Sequence, residues 1–357
     1  MGRLINQIEP DALVSAFARW LPVGFHGIDD PLGIPMFVAD FDLLTTVDSA
    51  LQNKLRRWAQ RLGVERFLTV RTLFVGTTVT EYALLNTDEP VSALQRIVER
   101  YARQYLFIII KDLPVVSPLL ADSENALTSA WLQAGKSLGW VELDGQALAW
   151  VPVAPGNDEA YWMQQFSRSR RKDFRRKLRS REQLLIREVR SGDACFQSEV
   201  LLREWYTLYQ AVYAQSEMHF DLLTPEFFKQ ILQQDSGAVI FVYEQADQLI
   251  GYNLCFEQDG LLIDKYIGLR YPQAQQLNLY FVSWFHNLAY AEKKGLRAYV
   301  AGWTDPDVKL SLGASFSLTR HLVYIRPFWL RWILKPLRVL FESDAQVMAV
   351  QERPGAV

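Results

Sequence analysis

Apolar residues along the chain recur at two spacings, and the switches between them mark the elements. Leu13, Ala16, Phe17 and Trp20 fall at helical intervals behind Pro10 and Asp11, which predicts an amphipathic helix over residues 10–20. Residues 34–40 read as a strand, 51–62 as a helix with a Lys-Arg-Arg face, and 66–78 as a long β-rich run. Pro90 opens a helix carrying Leu94, Ile97, Val98 and Tyr101. It leads into YLFIIIK at 105–111, the continuous apolar run expected of a strand buried on both faces. A helix over 123–138 precedes two strand-like runs, 140–143 and 146–153, and the Asp144-Gly145 pair between them predicts a hairpin turn.

Further on, 202–218 is a helix rich in aromatic residues, including Trp205, Tyr206, Tyr209 and Tyr213, and Thr224 caps a short helix that begins with Pro225 and Glu226. Strands are expected over 238–244, 248–257 and 261–268, then a helix over 275–294 and strands over 298–303 and 319–326. The pattern predicts an α/β (α+β) protein of two related units, each a mixed, mostly antiparallel sheet flanked by helices. The expected divisions are 1–155, 156–326 and a tail over 327–357.

One stretch departs from ordinary surface composition. Between Arg168 and Arg181 stand nine basic residues and one acid, Asp173. On a helix turning about 100° per residue, Phe174 and Leu178 form a narrow apolar stripe while Arg168, Arg171, Lys172, Arg175, Arg176 and Arg179 share the other side. A solvated helix face usually mixes signs, so this one points to an anionic partner: a phosphate-bearing ligand, an RNA backbone or an acidic membrane surface. The net charge of −2 over 357 residues confines the positive field to this locality and argues against DNA.

Cys195 and Cys255 lack a CxxC spacing, and His26, His219, His286 and His321 fall in unrelated segments without HExxH or G-x-S-x-G. Neither a metal site nor a serine triad is expected. The N-terminus has no secretory pattern, and no run reaches the roughly 18 apolar residues of a spanning helix, so a cytoplasmic location is expected. Residues 326–341, RPFWLRWILKPLRVLF, place Arg331, Lys335 and Arg338 on a basic stripe within an otherwise apolar segment. This composition suits a helix lying in a membrane interface, peripheral at the inner face; the alternative is a helix packed over the protein.

Four segments carry a family resemblance: FSRSRRKDFRRKLR at 166–179, GYNLCF at 251–256, DKYIG at 264–268 and AGWTDPDVKLSLGAS at 301–315. Together they resemble the Gcn5-related N-acetyltransferase (GNAT) superfamily. Within it they resemble the double-domain branch holding the Fem-type peptidyltransferases and BioF2-like acetyltransferases, over roughly residues 120–326. The resemblance implies an N-acyltransferase moving an acyl or aminoacyl group to an amine, and the tail adds the expectation of a cell-envelope or lipid-linked substrate. The donor would be acyl-CoA or acetyl-CoA, with aminoacyl-tRNA as the alternative. A second implied reading is a membrane-associated binding protein on a degenerate GNAT fold.

Acyl transfer needs a group to stabilise the developing oxyanion and a route for the amine proton. The resemblance assigns the first task to Lys309; otherwise Lys309 is a surface lysine beside Asp305 and Asp307. Strand alternation puts Asp264 and Tyr266 on one side, Asp264 to accept from the amine and Tyr266 as relay, unless Tyr266 is a packed aromatic. The loop at 269–276, LRYPQAQQ, lacks the glycines of a CoA pyrophosphate loop. Gln275 and Gln276, with free N–H groups at the helix start and with Arg171 and Arg175, would be left to hold an anion. Arg168, Lys172, Arg176 and Trp303 complete the expected substrate-binding set.

Overall fold

The computed structural model describes residues 4–42, 68–216 and 219–327, with positions 54, 57, 58, 60 and 61 between them. The expected helix over 51–62 falls mostly, and the tail over 328–357 entirely, outside the described residues. The chain clusters into two units. The first takes residues up to Ile8, then Val23–Leu148, and the chain from Phe316; the second takes Glu9–Pro22 and Ala149–Ser315.

In the first unit, β1 (His26–Ile28), β2 (Met36–Asp42), β3 (Thr69–Val75), β4 (Phe107–Pro114) and β11 (Ser315–Ile325) lie side by side in that order. All neighbours are antiparallel except β3 and β4, which run parallel from Leu73↔Ile108 to Val75↔Ile110. The triple isoleucine lies in β4 between β3 and β11, and Ile108 and Ile110 are fully buried. The helix Pro90–Tyr101 starts with its proline at the first turn, where no N–H is missed, and buries Ala93, Leu94, Ile97 and Tyr101 at helical spacing.

The hairpin expected at Asp144-Gly145 is absent. β5 runs unbroken from Val141 to Pro152. A Cβ on Gly145 would collide with Thr319 Oγ1, while Thr319 Oγ1 donates to Gln146 O (2.8 Å) and Asp144 pairs with Arg320. The dipeptide marks a close approach of strands, a use of glycine that local turn statistics miss.

In the second unit the end of β5 is followed by β10 (Ala298–Gly302), β9 (Leu261–Leu269), β8 (Gln248–Gln258), β7 (Ala238–Gln245) and β6 (Leu185–Arg190). Only β9 and β10 are parallel. Helices Glu199–Gln215 and Pro225–Gln233 cover one face, where Trp205 stacks on Tyr252 at 4.5 Å. Helix Leu279–Lys293 covers the other, with Trp284 against Tyr299 and Phe241 against Tyr290.

The two units exchange chain at several points, not only near residue 155. Helix Asp11–Arg19 buries Leu13, Val14, Ala16 and Phe17 and packs on Pro225–Gln233, with Trp20 Nε1 donating to Gln230 Oε1 at 2.7 Å. It belongs to the second unit, whereas β11 belongs almost entirely to the first. Both units are mixed α/β with mostly antiparallel sheets, the fold class expected.

Candidate functional site

The parallel pair β9/β10 is hydrogen-bonded at Ala298↔Leu261, Tyr299↔Leu262 and Val300↔Ile263, and pairing stops there although β9 runs on to Leu269. The strands part at this point. β10 ends at Gly302, whose φ of +78° suits glycine, and the chain turns into the short helix Pro306–Ser311. That turn brings Lys309 back to the parting. A methyl group on Gly302 would sit 3.8 Å from the Asp264 carbonyl oxygen and 3.9 Å from Lys309 Nζ. Lys309 is only 4% exposed, an unusual state for a lysine, so it is not the surface residue of the alternative reading.

Asp264 holds its carboxylate inside a ring of neutral donors. Asn253 Nδ2 donates to Oδ1 at 2.6 Å, and Tyr299 OH and Asn287 Nδ2 donate to Oδ2 at 2.8 and 3.2 Å. Asn287 Nδ2 also reaches Asn253 Oδ1 at 2.6 Å, locking the amides to one another. Burial, and then the charge of Asp264, push the Tyr299 phenol well above its ordinary pKa, so it keeps its proton and donates. Asn253 and Asn287 are fully buried, whereas Asp264 is half-buried. Sequence reasoning missed all three partners; a lone asparagine within the apolar run of helix Leu279–Lys293 was the available signal.

Tyr266 does not share this face. Across β8 the register runs Leu254↔Tyr266 and then Cys255↔Asp264, so Lys265 is an extra residue, a β-bulge. Simple alternation fails across a bulge. Asp264 faces helix Leu279–Lys293, while Tyr266 lies against Tyr209, Phe227 and Phe228 at 6.3, 5.9 and 5.4 Å. The expected joint orientation of Asp264 and Tyr266 is therefore corrected.

The basic stretch is a helix, Arg168–Leu178, whose N-cap Ser167 accepts from Arg170 N–H. It docks through Phe174, which meets Phe166, Phe281 and Phe285 at 4.9, 5.7 and 5.9 Å, and Lys177 Nζ stands 3.8 Å from the Phe281 ring centroid. This places it on the same face of the second unit's sheet as Asp264. Arg176 and Lys177 are turned to Asp173 (2.7 and 2.9 Å), holding that carboxyl below the usual range. Arg168, Arg171, Lys172, Arg175 and Arg179 instead line an open groove of about 1320 Å³, whose one acid, Glu159, is taken by Arg181. Among the described residues none of these five cations has an acidic partner within ion-pair reach. Arg176 is the exception to the expected basic set.

The amides of the loop after β9 are already engaged. The N–H groups of Ala274, Gln275, Gln276, Leu277 and Asn278 all donate back to Arg270, Pro272, Gln273 or Gln275. Gln275 and Gln276 are exposed on a single turn. A phosphate at this turn would have to displace these bonds, and the long helix starts beyond it, at Leu279. Trp303 is half-buried beside Gly302.

Among solved structures, the chain is similar to L-PGS from Bacillus licheniformis (TM-score 0.51, 10% identity, 96% of this chain and 98% of that one). It is also similar to the C-terminal domain of a putative lysylphosphatidylglycerol synthetase from Agrobacterium fabrum (0.53, 8%, 95% and 94%) and to FemX (0.50, 11%, 89% and 92%). No curated protein matches. The class of protein, an acyl or aminoacyl transferase, follows from the family whose model the chain matches. The model of the FemAB-like family, described as peptidoglycan biosynthesis/recognition, matches residues 103–324. The chain belongs to that family, and its work is acyl or aminoacyl transfer in cell-envelope biosynthesis. Among the described residues no helix is long and apolar enough to cross a membrane.

Proposed function

We propose that the chain transfers an aminoacyl group from aminoacyl-tRNA to an amine of a lipid-linked cell-envelope precursor. The observation that carries this reading is the groove along Arg168–Arg179. Its cations extend over ~16 Å of helix, longer than a pyrophosphate and suited to consecutive phosphates of an RNA strand. The engaged amides at 274–278 add support, since a CoA pyrophosphate at that turn would have to displace their bonds.

In this reading the aminoacyl ester carbonyl lies at the parting of β9 and β10. The amine nitrogen attacks it, the ester bond to the ribose breaks and an amide forms. Lys309 stabilises the oxyanion, which is worth roughly 3 kcal/mol for a single well-placed donor. Asp264, fixed by Asn253, Asn287 and Tyr299, accepts from the amine, and the proton it loses is balanced by the one gained by the departing ribose hydroxyl. Trp303 borders the site. Tyr266, on the opposite face, is a packing residue.

The test pairs filter retention of bulk tRNA with calorimetry against acetyl-CoA, then follows label from tRNA charged with radiolabelled amino acids into a membrane extract. Retention is expected to weaken ~10-fold or more in Arg171→Glu/Arg175→Glu, with the salt slope reduced by about 1 to 2. Micromolar acetyl-CoA binding without tRNA retention would return the donor to acyl-CoA.

A further inference from the structure

The bulge residue Lys265 has a partner from a distant part of the chain. Its Nζ lies 3.6 Å from Glu9 Oε1, with the two side chains 7% and 0% exposed. Glu9 stands at the head of the segment Glu9–Pro22, which leaves the first unit to join the second. The helix that follows packs on Pro225–Gln233, the element supplying Phe227 and Phe228 to Tyr266. One short segment therefore grips the bulge through Glu9 and backs the aromatic wall through its helix.

A buried ion pair is a poor means of gaining stability, because taking both charges out of water costs about as much as their attraction returns. It does fix position. A bulge is an insertion that can slide along its strand, and sliding by one residue exchanges which side chains face which way. With Lys265 as the extra residue, Asp264 faces Asn253, Asn287 and Tyr299. If the insertion moved to a neighbour, the carboxylate would leave that ring.

We propose that Glu9 is a positioning residue for the transfer reaction: by holding Lys265 it pins the bulge that aims Asp264 into the site. This rests on the reading of Asp264 and Lys309 as the reacting pair. The full chain is compared in the label-transfer assay as wild type, Asp264→Asn, the isosteric Glu9→Gln and the paired apolar replacement Glu9→Leu/Lys265→Leu. Glu9→Gln is expected to lower kcat ~10-fold or more while donor KM stays within about 2-fold, the signature of misplacement rather than lost binding. Hydrogen exchange of the peptide 261–269 should accelerate alongside. The double variant should regain the wild-type Tm, since both members of the pair leave together, without regaining kcat. A double variant with wild-type Tm and wild-type kcat would reduce the pair to a structural one and overturn the proposal, even with Asp264→Asn inactive. Full turnover by Asp264→Asn would instead remove the underlying reading, and this proposal with it.

Discussion

Among the described residues each unit contains one parallel strand pair, and the two pairs end differently. In the first unit β3 and β4 stay together to Val75↔Ile110, after which the chain leaves β3 at Gly76 and folds back on β4, Ala83 N–H donating to Asp112 O at 2.9 Å. Thr77, Thr80, Glu81 and Tyr82 are all at most 4% exposed. Thr77 and Thr80 bond each other at 2.9 Å, and Tyr82 OH meets Ser117 Oγ at 2.7 Å. In the second unit the corresponding parting, past Ile263↔Val300, brings Gly302 near the Asp264 carbonyl oxygen and Lys309 Nζ. The same backbone device thus serves once as a seam packed with the unit's own polypeptide, Glu81 included, and once as a place bordered by the Lys309 ammonium. Chemistry is expected at the second.

The sharpest way to break this comparison is Lys309→Ala. Loss of an oxyanion-stabilising cation is expected to lower kcat ~100-fold or more while the fold, read by circular dichroism, is kept. Retained turnover in the label-transfer assay would leave the second unit's parting as silent as the first. Next in size is Tyr299→Phe, which deletes the 2.8 Å hydrogen bond to Asp264. A bond to a charged group is worth about 1.5–3 kcal/mol, so kcat should fall by ~10- to 100-fold if the transition state feels all of it. A single-turnover measurement with charged tRNA separates this from slower product release.

Acid sharpens the comparison from another side. His286, between Phe241 (4.6 Å) and Tyr243 (6.1 Å) in the second unit, is held down to about pKa 4, first by burial and then by Arg181. The folded state therefore binds this proton less readily than the unfolded chain. Stability should be level above pH 6.5, decline as pH falls to about 4 and level again, by up to ~3 kcal/mol. Denaturant midpoints across that range should lose most of the slope in His286→Phe.

What the sequence made legible follows from the range of the interactions involved. The isoleucine run of β4, the proline-headed helices and the basic helix with Phe174 as its anchor all depend on spacing within a few residues, and all are present. The site depended on partners elsewhere. The bulge at Lys265 is set by its register with Leu254 and Cys255, and Asp264 is oriented by Asn253, Asn287 and Tyr299, which no local pattern links. Gly145 reads as a turn until Thr319 is placed against it. Gln275 and Gln276 read as the start of the long helix because the turn that takes up their amides is not a sequence pattern. The assignment of Glu9–Pro22 to the second unit is likewise a matter of what Phe17 and Trp20 pack on.

The smallest expected effect tests the closed seam. Tyr82 is 1% exposed and its hydroxyl meets Ser117 Oγ, whose other contacts are Leu119 N–H (3.1 Å) and Ser317 Oγ (3.4 Å). Tyr82→Phe keeps the ring and its packing but removes one member of this buried chain. The cost should be about 1–2 kcal/mol, read as a lower denaturant midpoint with an unchanged m-value. If the seam in the first unit is purely structural, kcat and donor KM stay at wild-type values, because the lost bond touches nothing that the donor or acceptor meets. A fall in kcat larger than the stability loss can explain would mean that the first unit's parting also takes part in transfer, and the contrast between the two strand pairs would then be one of degree.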